Sequence, residues 1–310
     1  MLIVTKKYTH TKAEVVLLVE KEEEGQRLDE FAMGYLKSLS RESIKRMIRG
    51  GNISIISRQT KNAPHSRIVE SDKVIIFYIN ENNFFDIKNT IVFESDDIVV
   101  INKPAGMLSH PTGRHLFNAA SVLIEEYCNH KIYPVHRLDK ETSGLLCFAK
   151  NSKVATNLRQ LFDSNQVIKK YYFLTKISDQ TRLCEGVIDN NIDTDRLSSI
   201  SLKQKIDKSG KKSKTVISSI ETFKDYILGV AYPVTGRLHQ IRVHLASIGY
   251  PLVGDTIYND EYSEEQYWLY INEGNQPELK LFCFYLEIPN FVSLKLEKPH
   301  HWPIGRQVDV

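Results

Sequence analysis

Long apolar runs and paired cysteines are both missing from this 310-residue chain. No stretch approaches the roughly 20 apolar residues that would span a bilayer, and residues 1–7 (M-L-I-V-T-K-K) lack the apolar core of a secretory signal. A cytoplasmic protein without a membrane partner is therefore expected. Cys128, Cys147, Cys184 and Cys283 lie far apart and form no C-x-x-C pair, so reduced thiols and no disulfide are expected. The histidines show no metal-type spacing: His239 and His244 are five apart, poorly placed for one helix face. No metal site is expected. There is no glycine fingerprint of a dinucleotide-binding fold and no internal repeat. Charge of one sign is also scarce, because 41 Lys+Arg against 38 Asp+Glu leave a net charge of only +3. Any nucleic-acid signal must then lie in where the charges sit.

What is present is ordinary soluble composition, 42% hydrophobic and 25% charged, in a chain long enough for two domains. Leu28, Phe31, Ala32, Tyr35, Leu36 and Leu39 repeat at helical spacing over 28–39. A second helix starts at an N-cap, Ser40, buries Ile44, Met47 and Ile48, and stops at Gly50-Gly51. It leaves Arg41, Lys45, Arg46 and Arg49 on another face, either simply solvated or in contact with a polyanion. A β segment follows at 52–56. Residues 81–90 mix Asn, Asp and Phe without periodicity and read as a linker. Beyond them, 98–101, 145–149, 171–177, 216–223 and 227–233 read as strands, and 117–127 and 152–162 as helices. The larger domain is therefore expected to be α+β, with a mixed, mostly antiparallel central sheet flanked by helices. Between 195 and 215 the chain is polar and carries Lys203, Lys205, Lys208, Lys211, Lys212 and Lys214, as a solvated loop, a clamp on phosphates, or both.

The segment 134–150, P-V-H-R-L-D-K-E-T-S-G-L-L-C-F-A-K, sets one acid, Asp139, between a basic dipeptide and a Thr-Ser-Gly turn. Gly144 permits a sharp turn into the apolar run, so Asp139 stands at a loop-to-strand junction. It is either a turn residue bonding its own backbone or a group placed for chemistry. Over 237–248, Leu238, Ile241, Leu245 and Ile248 form a helical stripe that ends at Gly249. Arg242 flanks that stripe and can reach inward.

The run 136–144 resembles the signature of RluA-like pseudouridine synthases. Three further matches fall in the family's order: V-I-N-K-P-A-G at 100–106, K-K-Y at 169–171 and T-G-R-L-H-Q-I-R-V-H at 235–244. They cover about residues 93–290. The resemblance implies isomerisation of uridine to pseudouridine in folded RNA, ribosomal or transfer, with the target nucleotide extruded into a pocket. It makes Asp139 the catalytic acid. Tyr171 becomes the aromatic partner of the uracil, with Tyr172 on the opposite strand face as the fallback, and Arg242 the ion-pair partner that keeps Asp139 charged against desolvation. His136 and Arg137 hold the loop, contact phosphate or displace the target base. Lys103, Arg237, His239 and Gln240 become pocket-edge or phosphate contacts, and Leu138, Leu145, Leu146 and Ile241 an apolar lining. No cofactor is implied, RNA is the partner, and a monomer without an obligate protein partner is expected.

Residues 15–80 resemble a small S-four-like α/β RNA-binding domain, which would employ Arg41, Lys45, Arg46 and Arg49. The expected organisation is a tail at 1–14, that domain at 15–80, a linker at 81–92 and a catalytic domain at 93–310. Two departures from the family stand out: residues 55–60 replace a tight hairpin turn, and Leu281-Phe282-Cys283-Phe284 replaces an L-H-A-x sequence. A non-catalytic RNA-binding or ribosome-assembly factor is the alternative. A metal-dependent nuclease or glycosidase would need ligand spacing or a second placed acid that the sequence lacks.

Overall fold

Apolar residues three and four apart build the helices of the first of two compact units, which comprises residues 1–87 together with 110–132. The structure, a computed structural model, describes residues 2–8, 12–36, 39–56, 62–79, 86–111, 119–177, 183–273 and 275–302. The first unit contains β1 (Leu2–Tyr8), β2 (Lys12–Leu18), α1 (Leu28–Tyr35), α2 (Arg41–Arg49), β3 (Ile53–Ile55), β4 (Lys73–Ile79) and α3 (Ala120–Cys128). Its four strands form an antiparallel sheet in the order β1-β2-β4-β3. Leu28 and Phe31 of α1 and Ile44 and Ile48 of α2 pack with Val15, Leu17, Ile53 and Ile76 of that sheet. Each such side chain contributes about 1.5–3 kcal/mol of burial. Ser40 caps α2 as expected, its hydroxyl accepting from the Ser43 amide. Residues 2–8 correct the expected tail: the β-branched run Ile3-Val4-Thr5 is strand-forming and pairs along β2. Of the atypical hairpin, residues 57–60 lie outside the described residues.

The basic face of α2 is largely compensated. Arg41 donates to Asp29, which is fully buried, and to Glu30, while Lys45 and Arg49 lie 3.8 and 3.4 Å from Glu42. Arg41 thus ties α2 to α1. Only Arg46 lacks a carboxylate within ion-pair distance among the described residues; it donates to the Ser43 hydroxyl.

The second unit comprises residues 88–109 and 133–310. Segment 110–132 falls with the first unit, so the expected single run 93–310 is interrupted. Its elements are β5 (Ile91–Glu94), β6 (Ile98–Lys103), β7 (Tyr133–Pro134), β8 (Ser143–Ala149), α4 (Ser152–Asp163), β9 (Ile168–Lys176), β10 (Gly186–Asp189), β11 (Ile192–Thr194), β12 (Gln204–Ile206), β13 (Lys214–Phe223), β14 (Tyr226–Pro233), α5 (Gln240–Ser247), α6 (Glu264–Glu273), β15 (Leu281–Ile288) and β16 (Val292–Lys295). The main sheet runs β10-β13-β14-β9-β15-β8-β6-β5, with β16 on β15 and β7 on β8. Every pairing is antiparallel except β15 with β8. The α+β class with a mixed, mostly antiparallel sheet is therefore observed. No helix among the described residues is long and apolar enough to cross a membrane.

The late strand β15 inserts between β9 and β8, setting Cys283 opposite both Tyr171 and Gly144. Gly144 has φ +109°, and a Cβ there would lie 2.2 Å from the Cys283 carbonyl oxygen. Glycine is thus required by backbone against backbone as well as by the turn. Gly144→Ala should destabilise the protein by about 3 kcal/mol, read as a lower denaturation midpoint. Wild-type stability in that variant would contradict the parallel pairing.

The lysine-rich segment 195–215 is better anchored than a solvated loop. β11 and β12 pair as a hairpin, the Ser198 and Ser199 hydroxyls donate to Glu264, and the Gln204 amide donates to the Tyr258 hydroxyl. Alternating lysines at the β12 strand hide its pattern in sequence.

Candidate active site

Loop 135–142, β9 and α5 direct Asp139, Tyr171 and Arg242 into one cleft of about 460 Å³, within the usual range of a small-molecule pocket. Asp139 is pinned on both sides. The Ser109 hydroxyl donates to the Leu138 carbonyl and accepts from the Leu138 amide, while Thr142 N donates to the Asp139 carbonyl. Lys103 donates to the carbonyls of Pro104, Met107 and Lys140.

That last arrangement corrects the expectation for Lys103. It is fully buried, burial brings its pKa down to about 7, and its ammonium clamps the loop from beneath without lining the cleft.

Arg242 reaches Asp139 as expected, but its shorter bonds go to a second acid. Its Nε and Nη2 make a bidentate pair with Asp255, 2.7 Å each, and only Nη1 turns to Asp139, 3.9 Å from Oδ2. Nη1 is buried and has no hydrogen-bond partner. Asp255 was not singled out from sequence; it follows Gly254, whose φ of +77° and closeness to the Glu278 carbonyl exclude a side chain. Asp255 Oδ1 also accepts from the amides of Ile257 and Tyr258. Burial pushes its pKa up, but Arg242 and these bonds outweigh it and hold Asp255 below the ordinary carboxylate range.

Asp139 goes the other way. Burial pushes its pKa above the ordinary value, and Arg242, Arg137 and Lys103 only partly oppose this, while Asp255 adds to it. The guanidinium thus moderates the desolvation and does not cancel it. Some 17% of the Asp139 side chain stays exposed, so the carboxylate faces the cleft.

Tyr171 lines the cleft, whereas Tyr172 stacks on Phe284 with centroids 3.8 Å apart, inside the hydrophobic cluster on the other sheet face. The alternation of β9 removes Tyr172 as the fallback. Burial raises the Tyr171 pKa well above its usual value, so its hydroxyl stays protonated.

His239 is neutral: its Nδ1 shares a 2.8 Å hydrogen bond with the Tyr258 hydroxyl, which also accepts from Gln204 N, and its Nε2 points to Asp139 Oδ2 at 4.0 Å. Burial, with Arg242 nearby, pushes its pKa well down. His136 Nε2 accepts from the Cys147 amide and the ring stacks on Phe162, which fixes the loop to β8; burial brings its pKa down to about 3. Gln240 lines the cleft as expected of a pocket edge, but its amide oxygen accepts from the Thr235 hydroxyl and Arg237 N, and its nitrogen donates to Lys214 O and Thr215 Oγ1. With every group engaged it shapes the loop 234–238 and has no capacity left for RNA. Arg137 and Arg237 are exposed at the cleft edge, and Leu138 and Ile241 give it apolar walls. Leu145 and Leu146 are buried in β8 outside the lining. Among the described residues no group of His, Cys, Asp or Glu is arranged to hold a metal.

Comparison with solved structures places this fold among the pseudouridine synthases. Human RNA Pseudouridylate Synthase Domain Containing 1 superposes with a TM-score of 0.56 at 24% identity, covering 70% of this chain and 86% of that one. Residues 97–247 match the family described as RNA pseudouridylate synthase. Ribosomal large subunit pseudouridine synthase C of Haemophilus influenzae is 30% identical over 92% of this chain and 87% of its own length. Ribosomal large subunit pseudouridine synthase D of Buchnera aphidicola is 32% identical over 76% and 75%. The mitochondrial tRNA pseudouridine(32) synthase of Saccharomyces cerevisiae is 32% identical over 71% of this chain and 48% of its own. The chain belongs to the RNA pseudouridylate synthase family, as its RluA-like motifs imply. It is an RNA pseudouridine synthase.

Proposed function

We propose that this chain isomerises uridine in folded ribosomal or transfer RNA with Asp139 as the catalytic group, acting in the cytoplasm as a monomer. The observation that carries the reading is the Asp139 carboxylate, facing the cleft beside the buried Arg242 guanidinium and the Tyr171 ring. A uridine inside a helix hides its glycosidic bond, so the nucleotide is everted into the cleft. Tyr171 gives the uracil a flat partner, and Leu138 and Ile241 keep water from the detached base.

Asp139 has three routes: attack on the anomeric carbon, attack on carbon six of the ring, or removal of a ribose proton. Each breaks the bond from N1 to the sugar and lets the base turn in place. Each then forms the bond from carbon five, releasing the proton of carbon five to solvent while N1 gains one. Arg137 and Arg237 fit phosphates at the cleft edge, and the unit containing α2 supplies further RNA affinity through Lys45, Arg46 and Arg49.

The test follows the released proton. RNA labelled with tritium at carbon five of uridine should lose label to water with the purified protein, and mapping pseudouridines in cells with and without the gene should identify the positions. RNA binding without tritium release would favour the non-catalytic alternative. Charge reversal at Lys45, Arg46 and Arg49 should weaken RNA affinity about tenfold and lower the salt slope by roughly one for each phosphate no longer neutralised, with the saturated rate unchanged. Unchanged affinity would remove α2 from the interface.

A further inference from the structure

Among the described residues, one cation of the cleft has no carboxylate within ion-pair distance. Lys169 stands two residues before Tyr171 on β9, so both side chains project from the same strand face, about 7 Å apart, and both line the cleft. Its ammonium approaches the loop at Gly236, where a Cβ would lie 4.0 Å from Nζ, and it sits 5.6 Å from the centroid of the Phe162 ring. Other enclosed cations of this unit are paired: Arg242 with Asp255, Lys150 with Glu94, and Lys103 with three carbonyls. Among the described residues Lys169 has neither a carboxylate within ion-pair distance nor a hydrogen-bond acceptor. It is half-buried, reachable from the cleft, yet enclosed enough for burial to push its pKa down.

A cation withdrawn from water without a partner is unfavourable for folding, so such a group points to a ligand that completes it. Phe162 adds only a weak ring contact.

We propose that Lys169 is an anion subsite of the cleft, binding a negatively charged oxygen of the everted nucleotide; this rests on the uridine-isomerase reading above. Two oxygens of that nucleotide have the required chemistry. One belongs to the flanking phosphate, which is charged throughout. The other is a uracil carbonyl, which gains charge only while the base is detached from the sugar. Lys170, the next residue on the opposite face, lies over the Tyr285 ring and serves as the control of equal charge.

The experiment compares Lys169→Met, Lys169→Arg and Lys170→Met. Affinity and its salt slope are measured on the target RNA in the Asp139→Asn background, the single-turnover rate at saturating RNA with Asp139 intact, and Tm for every variant. A bond to phosphate predicts that Lys169→Met weakens binding about tenfold and lowers the salt slope by about 0.7–0.9, with the saturated rate within twofold. A bond to the detached base predicts a fall of about 100-fold in single-turnover rate, with affinity and slope unmoved. In both cases Lys169→Arg recovers most of the loss, Lys170→Met stays within twofold, and Tm of Lys169→Met is unchanged or higher, because an unpaired cation has been removed. The proposal is overturned if Lys169→Met leaves affinity and rate within twofold of wild type, or if its Tm falls and Lys169→Arg fails to restore function. Absence of tritium release from the wild-type protein would instead refute the isomerase reading, and the binding arm would still report on Lys169.

Discussion

Asp139→Asn should lower pseudouridine formation by at least about 10⁴-fold while leaving RNA affinity within about threefold and raising Tm at neutral pH. The loss follows because each available route uses the anionic carboxylate, and an amide neither attacks carbon nor removes a proton. The gain in stability follows from the environment of the acid. Its folded-state pKa is raised, so the native protein holds the proton more tightly than the unfolded chain does. Stability therefore falls as pH rises from the unfolded to the folded value, and the deficit persists above it. Asparagine removes the charge that causes the deficit; for a unit of this size each kcal/mol relieved appears as about 2–4 °C in Tm. At acid pH, below both values, the two proteins should converge. The same shift governs rate: activity of the wild type should fall as pH drops through the raised pKa, placing the acid limb above the ordinary carboxylate value of 3.8. Tritium-release rates against pH, with thermal melts of both proteins, check all of this. Appreciable turnover by the variant would exclude Asp139 as the reacting group, and a lower Tm at pH 7 would show that its role is structural.

Short motifs far apart in sequence made much of the centre legible, because Asp139, Tyr171 and Arg242 each lie in a run whose residue types share one chemistry. Membership of such a run does not distinguish a side chain facing the cleft from one beneath it. Lys103 shows this: it sits inside a matching run, yet it lies outside the cleft lining and clamps three carbonyls. Whether a cation meets a phosphate or a backbone oxygen is decided by packing that no local pattern encodes. Period-2 and period-3.6 signals located α1, α2, α4 and the strands β8, β9, β13 and β14. They were weak where charge interrupts alternation, as in β12, and where the strand-forming run is short and terminal, as in β1. Asp255 was invisible for another reason. Its turn, Gly254-Asp255, resembles any surface turn, and its partner Arg242 lies 13 residues earlier on a helix. A clue was available in that Asp255 follows a glycine within the mostly apolar stretch 248–254, a poor setting for an exposed acid.

Asp255 is accordingly where the second large effect is expected. Asp255→Ala should destabilise the protein by about 3–5 kcal/mol, a Tm fall on the order of 10 °C, and reduce activity as well. Arg242 is only 2% exposed, and without Asp255 its Nε and Nη2 would lose both acceptors in a place that water does not reach. The amides of Ile257 and Tyr258 would lose theirs too, and Tyr258 carries the hydroxyl that is hydrogen-bonded to His239 Nδ1. Asp255→Asn separates charge from shape. Its one amide oxygen can keep the bond from Nη2 and those from the two backbone amides while its NH2 meets Nε–H donor to donor, and it no longer shares the positive charge, so more of it acts on Asp139, which is also freed from a neighbouring negative group. The Asp139 pKa should fall, and the acid limb of the rate profile should move to lower pH, even if the maximal rate is reduced. Stability shows the opposite linkage from Asp139. Because the folded-state pKa of Asp255 is depressed, its contribution is present at neutral pH and is lost as pH falls through that value, so the deficit of the Asn variant should shrink in acid. Melts from pH 7 downward and the rate profile of the same variant measure both consequences. An unmoved acid limb would mean that Asp255 and Asp139 do not share the Arg242 charge, and a pH-independent stability difference would mean that Asp255 acts by shape alone.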